Sequence, residues 1–140
     1  MLDTSFVISL LRERRRRVDG PAVAFLRANP NARMRMALFT MCELELGAER
    51  SESPDKERAA IQTLTEFVEP VFPAPGFSLL YARTVAALLD AGTPIPVMDA
   101  LIGCLALEHS EPLVTQDTTH FSRIPGLVVM GYETGIVGDI

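Results

Sequence analysis

Residues 95–121 read IPVMDALIGCLALEHSEPLVTQDTTHF. From Val97 to Leu107 the run is apolar, broken by a single charge at Asp99. A run of that length exceeds an ordinary strand and predicts a helix that begins next to Asp99. Ser110 and Glu111 turn the chain. Pro112 to Thr115 then reads as a short buried strand, with Asp117 just beyond it. The unit is hydrophobic enough to be core, and its two carboxylates stand at its edges.

Working back from this unit, the chain alternates short apolar strands with helices. Met1 to Asp3 ends a short strand, and Thr4 to about Arg16 forms a helix with Phe6, Val7, Leu10 and Leu11 on one face. Asp19-Gly20-Pro21 opens a second helix that stops at Asn29-Pro30. Residues 33–40, RMRMALFT, predict a strand, and Thr40 is expected to open the next helix. Gly47 inside that helix suggests a close packing contact, since glycine there is otherwise unfavourable. Ser53-Pro54 starts a further helix with Ile61, Leu64, Phe67 and Val68 on its buried face, and Pro70 to Phe72 follows as a strand. Gly76 to Ala91 is a long helix ended by Gly92-Thr93-Pro94. Leu127 to Met130 is the last strand. This alternation predicts an α/β fold with a central, mostly parallel sheet. Residues 1–131 form one domain, and 132–140 read as a loose C-terminal tail.

Bulk properties narrow the class. A chain of 140 residues with 48% hydrophobic content can bury a core without disulfide or metal staples. Cys42 and Cys104 read as buried thiols of a reducing compartment, and no Cys/His cluster suggests zinc. No apolar run reaches about 18 residues, which predicts no membrane span, and the N-terminus does not read as a secretory signal. The expectation is a cytoplasmic protein. Net charge is −5, yet residues 1–40 hold eight Arg against Asp3, Glu13 and Asp19. The run Arg14-Arg15-Arg16-Arg17 is either a solvated helix end or a contact for a phosphate backbone.

In an open α/β sheet ligands bind outside the carboxyl ends of the strands. Asp3 follows the first strand, Glu43 the second and Asp117 the strand 112–115, while Asp99 starts the helix that runs back along the sheet. Each acid has a structural explanation: Asp3 as a helix cap, Thr40-x-x-Glu43 as a capping box, Asp99 at a helix start, Asp117 in an Asx turn. Their convergence on one edge asks for more. Clustered carboxylates repel, and a hard divalent cation such as Mg²⁺ or Mn²⁺ relieves that repulsion with oxygen ligands alone. Two such ions can promote phosphodiester hydrolysis.

The motifs that carry a resemblance are Leu2-Asp3-Thr4-Ser5, Thr40-x-x-Glu43-Leu44-x-x-Gly47, Pro94-Ile95-x-x-x-Asp99-x-x-Ile102, and Leu113-Val114-Thr115-x-Asp117-x-x-His120-Phe121 followed by Ile124-Pro125-Gly126-Leu127. In this order the chain resembles a PIN-domain nuclease over nearly its whole length, and within that family the toxins of VapBC toxin–antitoxin pairs. The resemblance implies a three-layer α/β/α domain that cleaves RNA with Mg²⁺. It implies that Asp3, Glu43, Asp99 and Asp117 are catalytic metal ligands and that Thr4, Ser5 and Thr115 are hydroxyls lining the site. It places Glu45 on a partner or solvent side, gives His120 a peripheral role at most, and leaves His109 at the surface. It implies a cognate antitoxin protein, whose groove would involve Phe6, Leu10, Phe25 and Leu26, and a homodimer. Only Met1 and Leu2 precede Asp3, fewer than relatives have, so a short or frayed central strand is expected.

Two other readings compete. One is a PIN-like scaffold or RNA-binding module without catalysis, against which the four acids argue. The other is a phosphotransfer domain, which would want an acid at position 5 and a late lysine; Ser5 and the early Lys56 stand instead.

Overall fold

Leu2 is the hinge of the sheet. In the computed structural model, which describes residues 1–132, Leu2 forms parallel bridges to Met36 on one side and to Val114 on the other. The Leu2 amide donates to the Arg35 carbonyl at 2.7 Å, that of Asp3 to Val114 at 3.1 Å, and that of Val114 to Met1 at 2.8 Å. Outside this stub lie β1 (Met34–Ala37), β2 (Val68–Val71), β3 (Leu113–Val114) and β4 (Val129–Met130). β1 pairs with β2, and β3 with β4, both in parallel. The spatial order is therefore β2–β1–Leu2–β3–β4. The central strand is short, as expected, but it is not frayed: Leu2 is 1% exposed and bonded on both sides.

The helices are α1 (Thr4–Arg16), α2 (Pro21–Ala28), α3 (Leu38–Glu49), α4 (Pro54–Thr65), α5 (Phe77–Asp90), α6 (Val97–Glu108) and α7 (Thr118–Phe121). Successive strand residues point to opposite faces of the sheet. Leu2, Met36, Val68 and Val114 enter one core with Phe6, Leu10, Leu44 and Leu64 of α1, α3 and α4. Met1, Ala37, Val71 and Leu113 enter the other with Phe77, Leu88, Ile102 and Leu105 of α5 and α6. The result is the expected three-layer α/β/α arrangement. Full burial of each large apolar side chain contributes about 2 kcal/mol.

Local chemistry explains the joints. Asp3 caps α1, its side chain accepting from the Phe6 amide. Glu13, near the other end of α1, is buried and reaches across to accept from the Ala22 and Val23 amides at 3.0 and 2.9 Å. It thereby caps α2, whose own N-cap residue is Gly20 and has no side chain to offer. Gly20 makes room for that cap: a Cβ there would lie 2.5 Å from the Glu13 carboxyl carbon and would displace it.

Several expectations need correcting. α3 begins at Leu38, not Thr40, and is capped by Ala37 without a side-chain bond, so Thr40-x-x-Glu43 is not a capping box. Val68 belongs to β2 and not to the preceding helix. Cys42 is exposed, while Cys104 is buried. Gly47 has open space around it. The close contact is at Gly103, where a Cβ would lie 2.3 Å from Ile124 Cδ1. Tyr132, assigned to the loose tail, is 4% exposed with its ring 4.7 Å from that of Phe6. The rest of that tail, 133–140, lies outside the described residues. Among the described residues, no helix is long and apolar enough to cross a membrane.

Candidate active site

The sheet order reverses at Leu2: the chain builds outward through β1 and β2 on one side, then through β3 and β4 on the other. The crevice at such a switch point, beyond the carboxyl ends of the strands, is where α/β sheets bind ligands. Asp3 stands there. It is 4% exposed. Its Oδ1 accepts from the Phe6 amide at 2.8 Å, its Oδ2 accepts from the Thr115 hydroxyl, and the Ser5 hydroxyl lies 2.8 and 2.9 Å from the two oxygens. Three hydrogens thus face a carboxylate that has about four acceptor positions. One is left for a further positive partner.

Thr115 is fully buried at the end of β3 and does two jobs. Its hydroxyl donates to Asp3 and accepts from the Asp117 amide at 2.9 Å. The sheet edge, the Asp3 carboxylate and the Asp117 backbone are therefore one hydrogen-bonded unit. Asp117 then caps the short helix α7, accepting from the His120 amide at 3.2 Å.

Asp99 enters from the first turn of α6. His120 Nδ1 lies 2.8 Å from Asp117 Oδ2 and 3.3 Å from Asp99 Oδ2. Ligand atoms of Asp99, Asp117 and His120 all fall within 4.8 Å of one another. Burial pushes the Asp99 carboxyl above its ordinary range, with His120 opposing and Asp117 reinforcing the rise. Burial likewise raises Asp3, against the pull of its hydrogen bonds, and the Asp99 charge adds to the rise. These acids sit where a positive charge is wanted, and His120 Nδ1 stands between Asp99 and Asp117.

Glu43 stands slightly apart. It projects from α3, and Thr4 Oγ1 donates to its Oε1 at 2.6 Å while lying 3.1 Å from the buried Thr40 hydroxyl. Thr4, the residue next to Asp3, thus ties Glu43 to the start of α1. The donor set fits a hard divalent cation: carboxylate oxygens that crowd one another, with a single imidazole beside them. Asp99 and Asp117 could hold it, with His120 beside them and Asp3 near enough for its charge to be felt by Asp99.

Of the four acids expected from sequence, Asp99 and Asp117 share a ligand cluster with His120, which touches both, while Asp3 and Glu43 are outside that cluster. The spacing Asp117-x-x-His120 would put both on one side of a helical turn, and that signal was present. Glu45 points away, half exposed, toward Arg58 at 3.6 Å. His109 is only partly exposed: its Nε2 lies 3.3 Å from the Phe72 carbonyl and its Nδ1 3.4 Å from Arg35. Phe6 and Leu10 are core residues, and Phe25 and Leu26 pack against that core. The open apolar groove, about 330 Å³, instead runs between α1, α3 and α4 along Ile8, Leu11, Leu44 and Ile61, and Glu43 lines its wall. Arg14 to Arg17 lie at the far end of α1, about 15–20 Å from Asp3. There Arg14 stacks on Phe67 at 4.9 Å, and Arg15 pairs with Glu57 at 2.6 Å.

A parallel sheet with buried and clustered acids at its switch point is the architecture of a PIN domain, and the PIN domain family model matches residues 1–127. The chain belongs to that family. Among its relatives is the ribonuclease VapC1 of Haemophilus influenzae strain R2866, 33% identical over 127 residues, which cover 91% of this chain and 92% of that one. The tRNA(fMet)-specific endonuclease VapC of Shigella flexneri is 27% identical over 128 residues, with the same shares covered. Of solved structures, VapBC-1 from nontypeable Haemophilus influenzae superposes with a TM-score of 0.83 at 32% identity, covering 95% of this chain and 97% of that one. DNA-bound VapBC from Salmonella typhimurium gives 0.84 at 25% identity, covering 94% and 96%.

Proposed function

We propose that this chain is a Mg²⁺-dependent endoribonuclease of the VapC type, the toxin of a toxin–antitoxin pair acting in the cytoplasm. The observation that carries the proposal is the meeting of Asp99, Asp117 and His120 beside the buried Asp3, at the sheet's switch point in a PIN domain. Asp3, Glu43, Asp99 and Asp117 are the metal-holding acids of this reading. Mg²⁺, or Mn²⁺ in its place, supplies a Lewis acid and a water of lowered pKa for attack on a phosphodiester.

The protein's own part is placement. Thr115, Ser5 and the Phe6 amide fix the Asp3 carboxylate, so its free lone pair has one direction. Thr4 fixes the Glu43 carboxylate by donating to it. His120 keeps Asp99 and Asp117 turned toward each other. Such preorganisation spares the reorganisation that carboxylates in water would need. Arg14 to Arg17 remain candidate contacts to the RNA backbone, at a distance from the chemistry.

The partner of this reading is an antitoxin that seats a helix in the groove along Ile8, Leu11, Leu44 and Ile61. A second copy of the chain is the other partner, supported by the exposed apolar residues Leu79, Leu89 and Val97 on α5 and α6.

The deciding experiment incubates purified protein with labelled RNA in Mg²⁺ and in EDTA. Cleavage in Mg²⁺ that EDTA abolishes, and that Asp3→Asn and Asp99→Asn each lose while staying folded, is the expected result. Cleavage at the wild-type rate by either variant would remove the metal-site assignment. Light scattering reports the dimer, and a short adjacent reading frame for a DNA-binding protein reports the antitoxin.

A further inference from the structure

α1 carries three stripes, and each starts at the site. Phe6, Leu10 and Glu13 face the core. Ile8, Leu11 and Arg15 face the apolar groove, which Arg12 also borders, and Thr4 bonds to Glu43 on its wall. The third stripe is Ser5, Ser9, Arg12 and Arg16, spaced four, three and four apart and therefore on one face. Ser5 touches Asp3, and the Gln116 amide donates to its hydroxyl at 3.4 Å. One turn on, Ser9, Arg12, Gln116 and Tyr132 line a polar cleft of about 210 Å³.

Charge decides what that cleft would accept. Among the described residues two charged side chains line it, Arg12 and Glu13. The Glu13 carboxylate is spent on the Ala22 and Val23 amides and is buried. Arg12 is exposed and has no ion pair among the described residues, unlike Arg15, Arg27, Arg33, Arg35 and Arg58. The cleft thus offers the Arg12 guanidinium, beside the Ser9 hydroxyl that accepts from Tyr132. An anionic polymer that has a phosphate at the acids meets these groups next along its backbone. Arg12 is about 10 Å along the helix from Ser5, within reach of the neighbouring phosphates through its long side chain.

We infer that the Ser5–Ser9–Arg12–Arg16 face of α1, with Gln116 across the cleft, is the track on which the RNA backbone leaves the acid cluster, and that Arg12 is its phosphate-contacting residue. The inference rests on the proposed nuclease reading and goes beyond it by moving the RNA contact from the arginine run to Arg12. Arg12 is a substrate-positioning residue: it grips RNA equally in ground and transition states, so its loss raises KM and leaves kcat alone.

The test has two arms. In the first, the full chain in EDTA is titrated into a fluorescent single-stranded RNA of mixed sequence at several salt concentrations. Arg12→Ala is expected to weaken binding about tenfold and Arg12→Lys less, the size of one charge-assisted contact. The slope of log affinity against log salt should fall by about one for Arg12→Ala. Arg27→Ala, whose side chain is paired with Asp19, is expected to bind as the wild type does. In the second arm, cleavage in Mg²⁺ is expected to show a raised KM and an unchanged kcat for Arg12→Ala. Unchanged affinity and slope for Arg12→Ala, or no RNA binding by the wild type, overturns the track. Wild-type binding that Arg12→Ala weakens, without cleavage in Mg²⁺, instead sinks the nuclease reading and leaves the track in place.

Discussion

The two ends of α1 are built on opposite plans. At its N-terminus one carboxylate gathers a backbone amide and two hydroxyls from two parts of the chain, nearly out of reach of solvent. At its C-terminus four consecutive arginines stand in water, one of them, Arg17, strained into the left-handed region at φ 55°. The second end is the louder feature of the sequence, and the first is the better-held feature of the structure. The contrast teaches that conspicuous charge marks what a surface can attract, whereas chemistry sits where a few polar groups are over-determined by their neighbours.

The sharpest way to break the contrast is to neutralise the ordered end. Asp99→Asn or Asp117→Asn is expected to lower RNA cleavage by about a thousandfold or more, measured as initial rate in Mg²⁺. Neither should lower the melting temperature. Burial raises the Asp99 carboxyl, so whatever it contributes to stability is present at low pH and lost as pH rises through its folded pKa. At neutral pH its charge opposes folding, and asparagine carries none. A melting temperature clearly below wild type for Asp99→Asn would show that its charge holds the fold together.

Thr115→Val keeps shape and removes the hydroxyl that joins Asp3 to the Asp117 amide. The expected fall in cleavage is about 10–100-fold, as for supports behind a metal ligand. A change within twofold would mean that Ser5 and the Phe6 amide suffice to orient Asp3. Glu13→Ala sits between the two ends and leaves the Ala22 and Val23 amides without their acceptor. Urea titration should show a loss of about 2 kcal/mol, with activity per folded molecule unchanged. The smallest effect belongs to the loud end: Arg15→Ala, which breaks an exposed pair with Glu57, should change stability by less than about 0.5 kcal/mol.

Much of this was legible in the sequence, and the reasons are particular. α1 ends within its arginine run, at Arg16, and α2 starts at its proline, because those signals act within a turn or two. The four acids could be placed because each follows a strand or opens a helix. What failed depended on distant atoms. Leu38 and Phe39 read as strand from their own preference, yet they open α3 because Phe39 packs on Phe77 at 5.6 Å. Val68 looked like a helical core residue until Met34 became its partner across β1 and β2. Tyr132 looked like tail until Phe6, far back in the chain, supplied its edge-to-face contact. His120 shows only its spacing from Asp117 in the sequence; Asp99, 21 residues back, meets its ring only through the fold.

The stub at Leu2 has a consequence for how this molecule comes into being. Its two sheet neighbours, Met36 and Val114, lie at very different distances along the chain, and Asp3 depends on Thr115 for its orientation. During synthesis the first residues emerge with nothing on one side to pair with. Contacts of such long separation close late. A chain still on the ribosome before residue 117 therefore has Asp3 in hand but no pocket to put it in. If the proposed activity is harmful to the cell that makes it, the harm begins only when the molecule is nearly finished, with an interval in which a partner can be waiting.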